Sequence, residues 1–345
     1  MADLSNEKIY EKTYIDQVIA KINEHKTETA IKMINKLNPN QITSSHIQKL
    51  FVTTTKANQP KVSMAIIDFV QALNNKKKQN DFALVPNQYN GYTHFTMASF
   101  YRQGGTAKFL EFVKILDEEK QNEFTLSHDL SGCLDIERAV EKYHPKAAIA
   151  LIDFAKTLKD EETKNKFILA RDNHYRNKQF KSAIEYRQPE VAMALINFAK
   201  TLKDEETKNK FVLETTTSPP ALGYTPSFFE AALEVDYLEE DYEEVAMALI
   251  DFAKTLKNKE TQEKFILFTR ENGSTVNTVL KSGRSKVAIE FLKLAADIVP
   301  KEVIKWDIPK NIQTDDSFKS IAQKIANCED LTQEEIIDFL KKKKN

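Results

Sequence analysis

Glycine and proline are scarce in this chain, 7 and 10 among 345 residues. A β-sandwich or barrel needs turn residues every few positions, so the scarcity argues against both. Cysteine is rarer still. Cys133 and Cys328 stand far apart, in no metal-ligand spacing, and suit a reducing compartment better than a disulfide framework. No apolar run approaches the roughly 18 residues of a membrane span. Met1 to Lys8 also lack the apolar core of a secretory signal, so the expected location is cytoplasmic. Neither sign of charge dominates: the formal net charge is -1, which leaves no global field to draw the chain onto DNA or an anionic membrane.

What the chain has in plenty is repetition. Residues 149–169 read IALIDFAKTLKDEETKNKFIL, and residues 193–213 differ from them at three of 21 positions. Residues 247–267 differ from the first copy at five. Fainter copies run through Met64–Val70, Phe109–Leu116 and Val287–Ala295, with Ala30–Leu37 as a degenerate first one. Aligned on Asp153, the equivalent positions are Asn35, Asp68, Glu111, Asn197, Asp251 and Lys293. Their spacings are 33, 43, 42, 44, 54 and 42 residues, a period near 43 with one ten-residue insertion. Such a period is the mark of a stacked repeat array.

Inside a unit the apolar positions follow a helix. Val191, Leu195, Phe198 and Leu202 recur at i, i+4, i+7 and i+11, flanked by Ala192, Ile196 and Ala199. Pro145 and Pro189 sit where a helix's first turn accepts proline. Lys159 to Phe167 reads as a second, short helix capped by Asp160, with acids early and lysines late. Stretches such as Ile136–Tyr143 and Phe180–Tyr186 supply a further helix ahead of the signature. The expected fold is all-α, an α-solenoid of about six to seven expanded repeats. The expected domains are a helical N-terminal cap over 1–60, the array over 61–300, and a C-terminal helical cap with a lysine-rich tail over 301–345. Thr332–Glu335 forms a capping box for that last helix, which runs into Lys341–Lys344.

Several units open on glycine. Gly91-Tyr92-Thr93-His94-Phe95-Thr96-Met97-Ala98 is the fullest case; Gly132 with Ala139, Gly223-Tyr224-Thr225-Pro226 and Gly273 with Leu280 are fainter. This resembles the ankyrin repeat, in which a Gly-x-Thr-Pro-Leu-His-x-Ala turn opens the first helix. No unit carries the full Thr-Pro-Leu-His, and the period exceeds the ankyrin length by about ten residues, nearer to armadillo or HEAT units. Ankyrin-like arrays with duplicated Lys/Glu-rich units also resemble effectors that intracellular bacterial pathogens export into host cells. The resemblance implies a scaffold that binds another protein.

Chemistry is thinly represented. Ser127-His128-Asp129 has triad residue types, but sequence neighbours do not fold onto one another as a triad; helix capping is the expected role. The six histidines show no metal spacing, and Gly104-Gly105-Thr106 lacks the lysine of a phosphate loop. The reading is therefore a non-enzymatic scaffold with no cofactor and no metal. An RNA-binding repeat, or an enzyme with a site at the array ends, is the alternative. RNA readers need a recurring polar and aromatic pair on a basic face, which the Asp153 column does not supply. The insertion is the candidate partner surface, through Phe228, Phe229, Glu234, Asp236, Tyr237, Glu239, Glu240, Asp241 and Tyr242. Eight acids and no basic residue fall between Glu230 and Glu244, which suits a basic protein partner.

Overall fold

The computed structural model describes residues 14–86, 91–100, 105–170, 178–214, 227–234, 240–270, 273–282 and 284–303. The chain divides into two compact units, Met1–Phe167 and Ile168–Asn345. In each, three helices recur in fixed order, here called first, second and third.

In the first unit a leading helix, α1, covers residues 14–23 and buries Ile15, Val18 and Ile22. It is followed by α2 (Thr27–Ile34), the opening second helix. Three full repeats come next. Their first helices are α3 (Ser44–Lys56), α6 (His94–Phe100) and α9 (Asp135–Glu141). The second helices are α4 (Pro60–Gln71), α7 (Gly105–Val113) and α10 (Pro145–Thr157), and the third helices are α5 (Lys76–Leu84), α8 (Glu118–Thr125) and α11 (Glu161–Ile168). Like packs on like: α3 on α6 on α9, α2 on α4 on α7 on α10, and α5 on α8. Residues 27–56, which the sequence placed in a cap, thus join the same ladders.

The second unit repeats the plan. First helices are α12 (Lys178–Glu185), α15 (Phe228–Glu234) and α18 (Thr275–Lys281). Second helices are α13 (Pro189–Thr201), α16 (Glu240–Thr255) and α19 (Ser285–Ile298). Third helices are α14 (Glu205–Leu213), α17 (Lys259–Leu267) and α20 (Pro300–Val303). Again α12, α15 and α18 stack, as do α13, α16 and α19, and α14 packs on α17. A two-residue antiparallel pair, Thr269–Arg270 with Gly273–Ser274, precedes α18. The predicted C-terminal helix and lysine tail lie outside the described residues. Each unit is an all-helical tandem stack, an α-solenoid segment, with seven second helices among the described residues.

The turn from first to second helix has one geometry and many sequences. Asn58, Tyr143 and Arg187 adopt left-handed φ of 52°, 58° and 52°. The next residue's N–H bonds back five positions: Gln59 to Thr54, His144 to Ala139, Gln188 to Ala183. This is the Schellman closure of a helix end, followed at once by proline at the new helix's first position. From second to third helix the chain turns on Leu158, Leu202 or Leu256, all buried. The side chains of Asn75, Asp160, Asp204 and Asn258 then cap the third helix through the N–H three residues on. In three repeats a glutamine of the third helix reaches back to the orphan carbonyls of the second. Gln79, Gln121 and Gln262 donate to the oxygens of Leu73, Leu116 and Leu256.

Five of the six third helices also deliver one phenylalanine to the core, and α20 delivers Val303 instead. Phe82, Phe124, Phe167, Phe211 and Phe265 are all buried. Phe82 meets Phe51 edge-on at 5.1 Å, and Phe211 lies 6.0 Å from Phe252. Burial of each such ring stabilises by roughly 1.5–3 kcal/mol, which no helix pair could collect alone.

Candidate partner-binding surfaces and buried polar sites

The insertion is the sequence's own candidate, and the fold divides it. Phe228 and Phe229 belong to the core: both are buried in α15. Phe228 stacks on Phe180 at 4.4 Å and 27°, and Phe229 lies nearly parallel to Phe291 at 5.7 Å. Tyr242 is buried as well, and its hydroxyl donates to the carbonyls of Ala183 and Ile184 at the end of α12. These three are therefore corrected from partner-binding to core residues. The physical reason is helical phase: Tyr242, Val245, Leu249 and Phe252 share the buried stripe of α16. Glu230, counted among the acidic run, is buried too, whereas Glu244 is exposed. Glu234 ends α15, and Glu240 and Asp241 begin α16; their side chains lie outside the described residues, as do Asp236, Tyr237 and Glu239 entirely.

Two of the glycine openers are needed where they stand. Gly91 and Gly132 adopt φ of 75° and 76°. A Cβ on Gly91 would meet the Leu130 Cβ at 3.0 Å, because Leu130 N–H donates to the Gly91 carbonyl across neighbouring repeats. Thr93 then accepts from the Thr96 N–H at the start of α6.

Ser127, His128 and Asp129 do not form a triad. Ser127 Oγ donates to Asp135 at 3.2 Å, while His128 is exposed and pairs through its backbone with Leu134. Asp129 is buried and accepts from the N–H groups of Ser131 and Cys133 and from Arg138 Nε at 2.6 Å. Arg138 also holds Glu141 and lies 5.7 Å from the Tyr92 ring centre. The group therefore staples a loop to α9 instead of capping alone.

Asp135, first residue of α9, is the centre of this junction. It takes the hydroxyls of Thr93 and Thr96 from α6, besides Ser127. Burial pushes its carboxyl up to about 6 against the pull of those hydroxyls, and the charge of Asp129 adds to the rise. His94, the first residue of α6, is buried among Phe51 and Phe82, at 5.4 and 4.7 Å. Burial lowers its imidazole to about 4, with the Phe82 backbone pulling the other way. Neither ring nitrogen reaches a hydrogen-bond partner of ordinary length among the described residues. Glu230 plays the matching part in the second unit. It closes a capping box with Ser227 and accepts from Thr275 Oγ1 of α18 at 3.2 Å.

The Asp153 column faces solvent in each unit. Asp68, Glu111, Asp153, Asn197 and Asp251 are exposed. Asp68 pairs with Lys108 of the next second helix, and Lys254 with Glu290 of the next. Among the described residues no three His, Cys, Asp or Glu side chains converge as a metal site, and no helix is long and apolar enough to cross a membrane. Sequence reasoning missed Asp135 and Glu230 because nothing in a one-dimensional pattern separates a buried acid from a surface one.

No protein-family model and no curated protein matches the chain. Among solved structures it is similar to a circular tandem repeat protein with novel repeat topology and enhanced subunit contact surfaces, at 11% identity and a TM-score of 0.24. That match covers 97% of this chain and 70% of the other.

Proposed function

We propose that the protein is a non-enzymatic scaffold that binds another protein through the segment where its repetition breaks. One observation carries this: the buried carboxylates Asp129, Asp135, Glu137 and Glu230 all serve bonds within and between repeats. The ankyrin resemblance belongs to the same proposal. A tight left-handed turn between first and second helices and glycine-opened loops at Gly91 and Gly132 support it. The effector role in a host cytosol rests on that resemblance. The partner contact falls to Glu234, Asp236, Tyr237, Glu239, Glu240 and Asp241, whose carboxylates would steer a basic surface.

The test is a pull-down from host-cell lysate comparing wild type with Tyr237→Ala, with partners read by mass spectrometry. A partner lost from Tyr237→Ala alone is the expected result. Equal recovery rejects the insertion as the contact. Tyr242→Ala does not serve here, since it should cost roughly 3–5 kcal/mol by emptying a core site.

A further inference from the structure

A cavity of about 340 Å³ opens at the leading end of the first unit, a size suited to a small molecule. It lies where α1, the loop that follows α2 and the start of α3 come together. Tyr14 and Ile15 reach it from α1, and Leu37 and Ile42 from the loop. Ile15, Leu37 and Ile42 are each less than a tenth exposed, so the cavity offers hydrocarbon as well as polar groups. The Tyr14 ring is held in place by its hydroxyl, which donates to the Met33 carbonyl at 3.1 Å.

The polar groups left over around this cavity are donors. Lys36 lines it, and neither its ammonium nor the Gln41 carboxamide has a partner among the described residues. Asn38 and His46 have each given an acceptor atom to the backbone. Asn38 Oδ1 accepts from the Asn40 N–H at 3.0 Å, and His46 Nδ1 from the Thr43 N–H at 3.5 Å. What remains is the Asn38 amide NH2 and the His46 Nε2–H, both donors. Turn and cap formation thus use up the acceptors and leave the donors to the cavity. Among the described residues no carboxylate lines it; Asp16, next to Ile15, is held by Lys49 at 3.0 Å. Lys78 of α5 adds positive charge to the same loop, donating to the Pro39 carbonyl at 2.8 Å.

We propose that this cavity binds a small organic monocarboxylate with an apolar body. An ionised carboxylate brings acceptors only, which is what Lys36, Asn38 and His46 can satisfy. One lysine and no arginine line the cavity, which matches a single negative charge; a phosphate dianion calls for more. The apolar body covers Ile15, Leu37 and Ile42, which a bare inorganic ion would leave wet. Bound there, the acid joins α1 to the loop and to α3, and so clamps the leading helix onto the first repeat. The site shares no residue with the insertion, so it stands or falls apart from the scaffold reading.

Phenylbutyrate and octanoate are the probes, titrated into the full chain by calorimetry up to about 10 mM, with phenylbutyramide as the uncharged match. Both acids should bind, and the amide about fivefold more weakly, the scale of one exposed ion pair. Lys36→Met should weaken the acids by that same factor and leave the amide unchanged. Lys32→Met, at an exposed lysine one turn earlier that does not line the cavity, should change neither. Hydrogen exchange with phenylbutyrate bound should slow in α1 and over residues 35–43. Both lysines are exposed, so both variants should keep their helical circular-dichroism signal. The site is overturned if neither acid binds, if the amide binds as tightly as its acid, or if exchange slows only elsewhere. Equal losses from Lys36→Met and Lys32→Met also overturn it, since general surface charge would then account for the affinity.

Discussion

At the junction of α6 and α9 the buried carboxylate, Asp135, belongs to the later helix and takes hydroxyls from the earlier one. At the junction of α15 and α18 the carboxylate, Glu230, belongs to the earlier helix and the hydroxyl, Thr275, to the later. Both tie neighbouring first helices through a buried acid at a helix N-terminal turn, where partial positive charge favours it. The requirement is for one carboxylate and its donors at the interface, not for a residue at a fixed column. First helices differ widely between repeats, whereas residues 149–169 and 193–213 of the second and third helices differ at three positions. The junctions also differ in charge. The first adds a buried ion pair, Asp129 with Arg138, whereas in the second Arg284 donates to the Ala232 carbonyl.

Loss of the ion pair should separate the two junctions most. The Asp129 side chain is 1% exposed, so Arg138→Ala strands a buried charge and should cost roughly 3–5 kcal/mol in urea unfolding of the whole chain. A loss under 1 kcal/mol would make the first junction as mild as the second.

Acid separates the two junctions next. His94 has a folded pKa below its unfolded one, so the unfolded chain binds the extra proton and stability falls as pH drops from about 6.5 to about 4. Asp135 runs the other way: its raised pKa makes the folded chain bind the extra proton, so stability rises as pH drops from about 6 to about 4. Each slope spans roughly 3 kcal/mol on this scale, and between about pH 4 and 6 they oppose each other. Asp135→Asn should therefore expose the acid sensitivity of His94, and His94→Phe should leave a chain that gains stability on mild acidification. Urea midpoints at pH 7, 6 and 5 decide it; parallel profiles for the two variants would contradict both assignments.

Thr275→Val should have the smallest effect, about 1 kcal/mol, since Ser227 remains on Glu230. The same measurement on Thr93→Val tests whether one hydroxyl counts equally at Asp135, and a difference above 1 kcal/mol would show that it does not.

Much of the fold was legible because the causes are local. Proline at a first turn, an Asp or Asn cap, and apolar residues at helical spacing act within a few positions, and repetition multiplied the signal. The candidate surface was less so. The acids from Glu230 to Glu244 look alike in one dimension, yet Glu230 is buried and Glu244 exposed. Tyr242 looked like an aromatic anchor for a partner because α16 starts a turn earlier than its counterpart α13. That extra turn puts the ring against α12, and no linear pattern announces it.

Neighbours along the chain set the helices, their order and their period, because hydrogen bonding within a helix and capping at its ends act over a few positions. The tertiary structure decided which polar groups became interior ones. Whether Asp135, Glu230 or His94 meets water or another helix depends on residues about 40 positions away, and only the stacking of one repeat on the next brings those together.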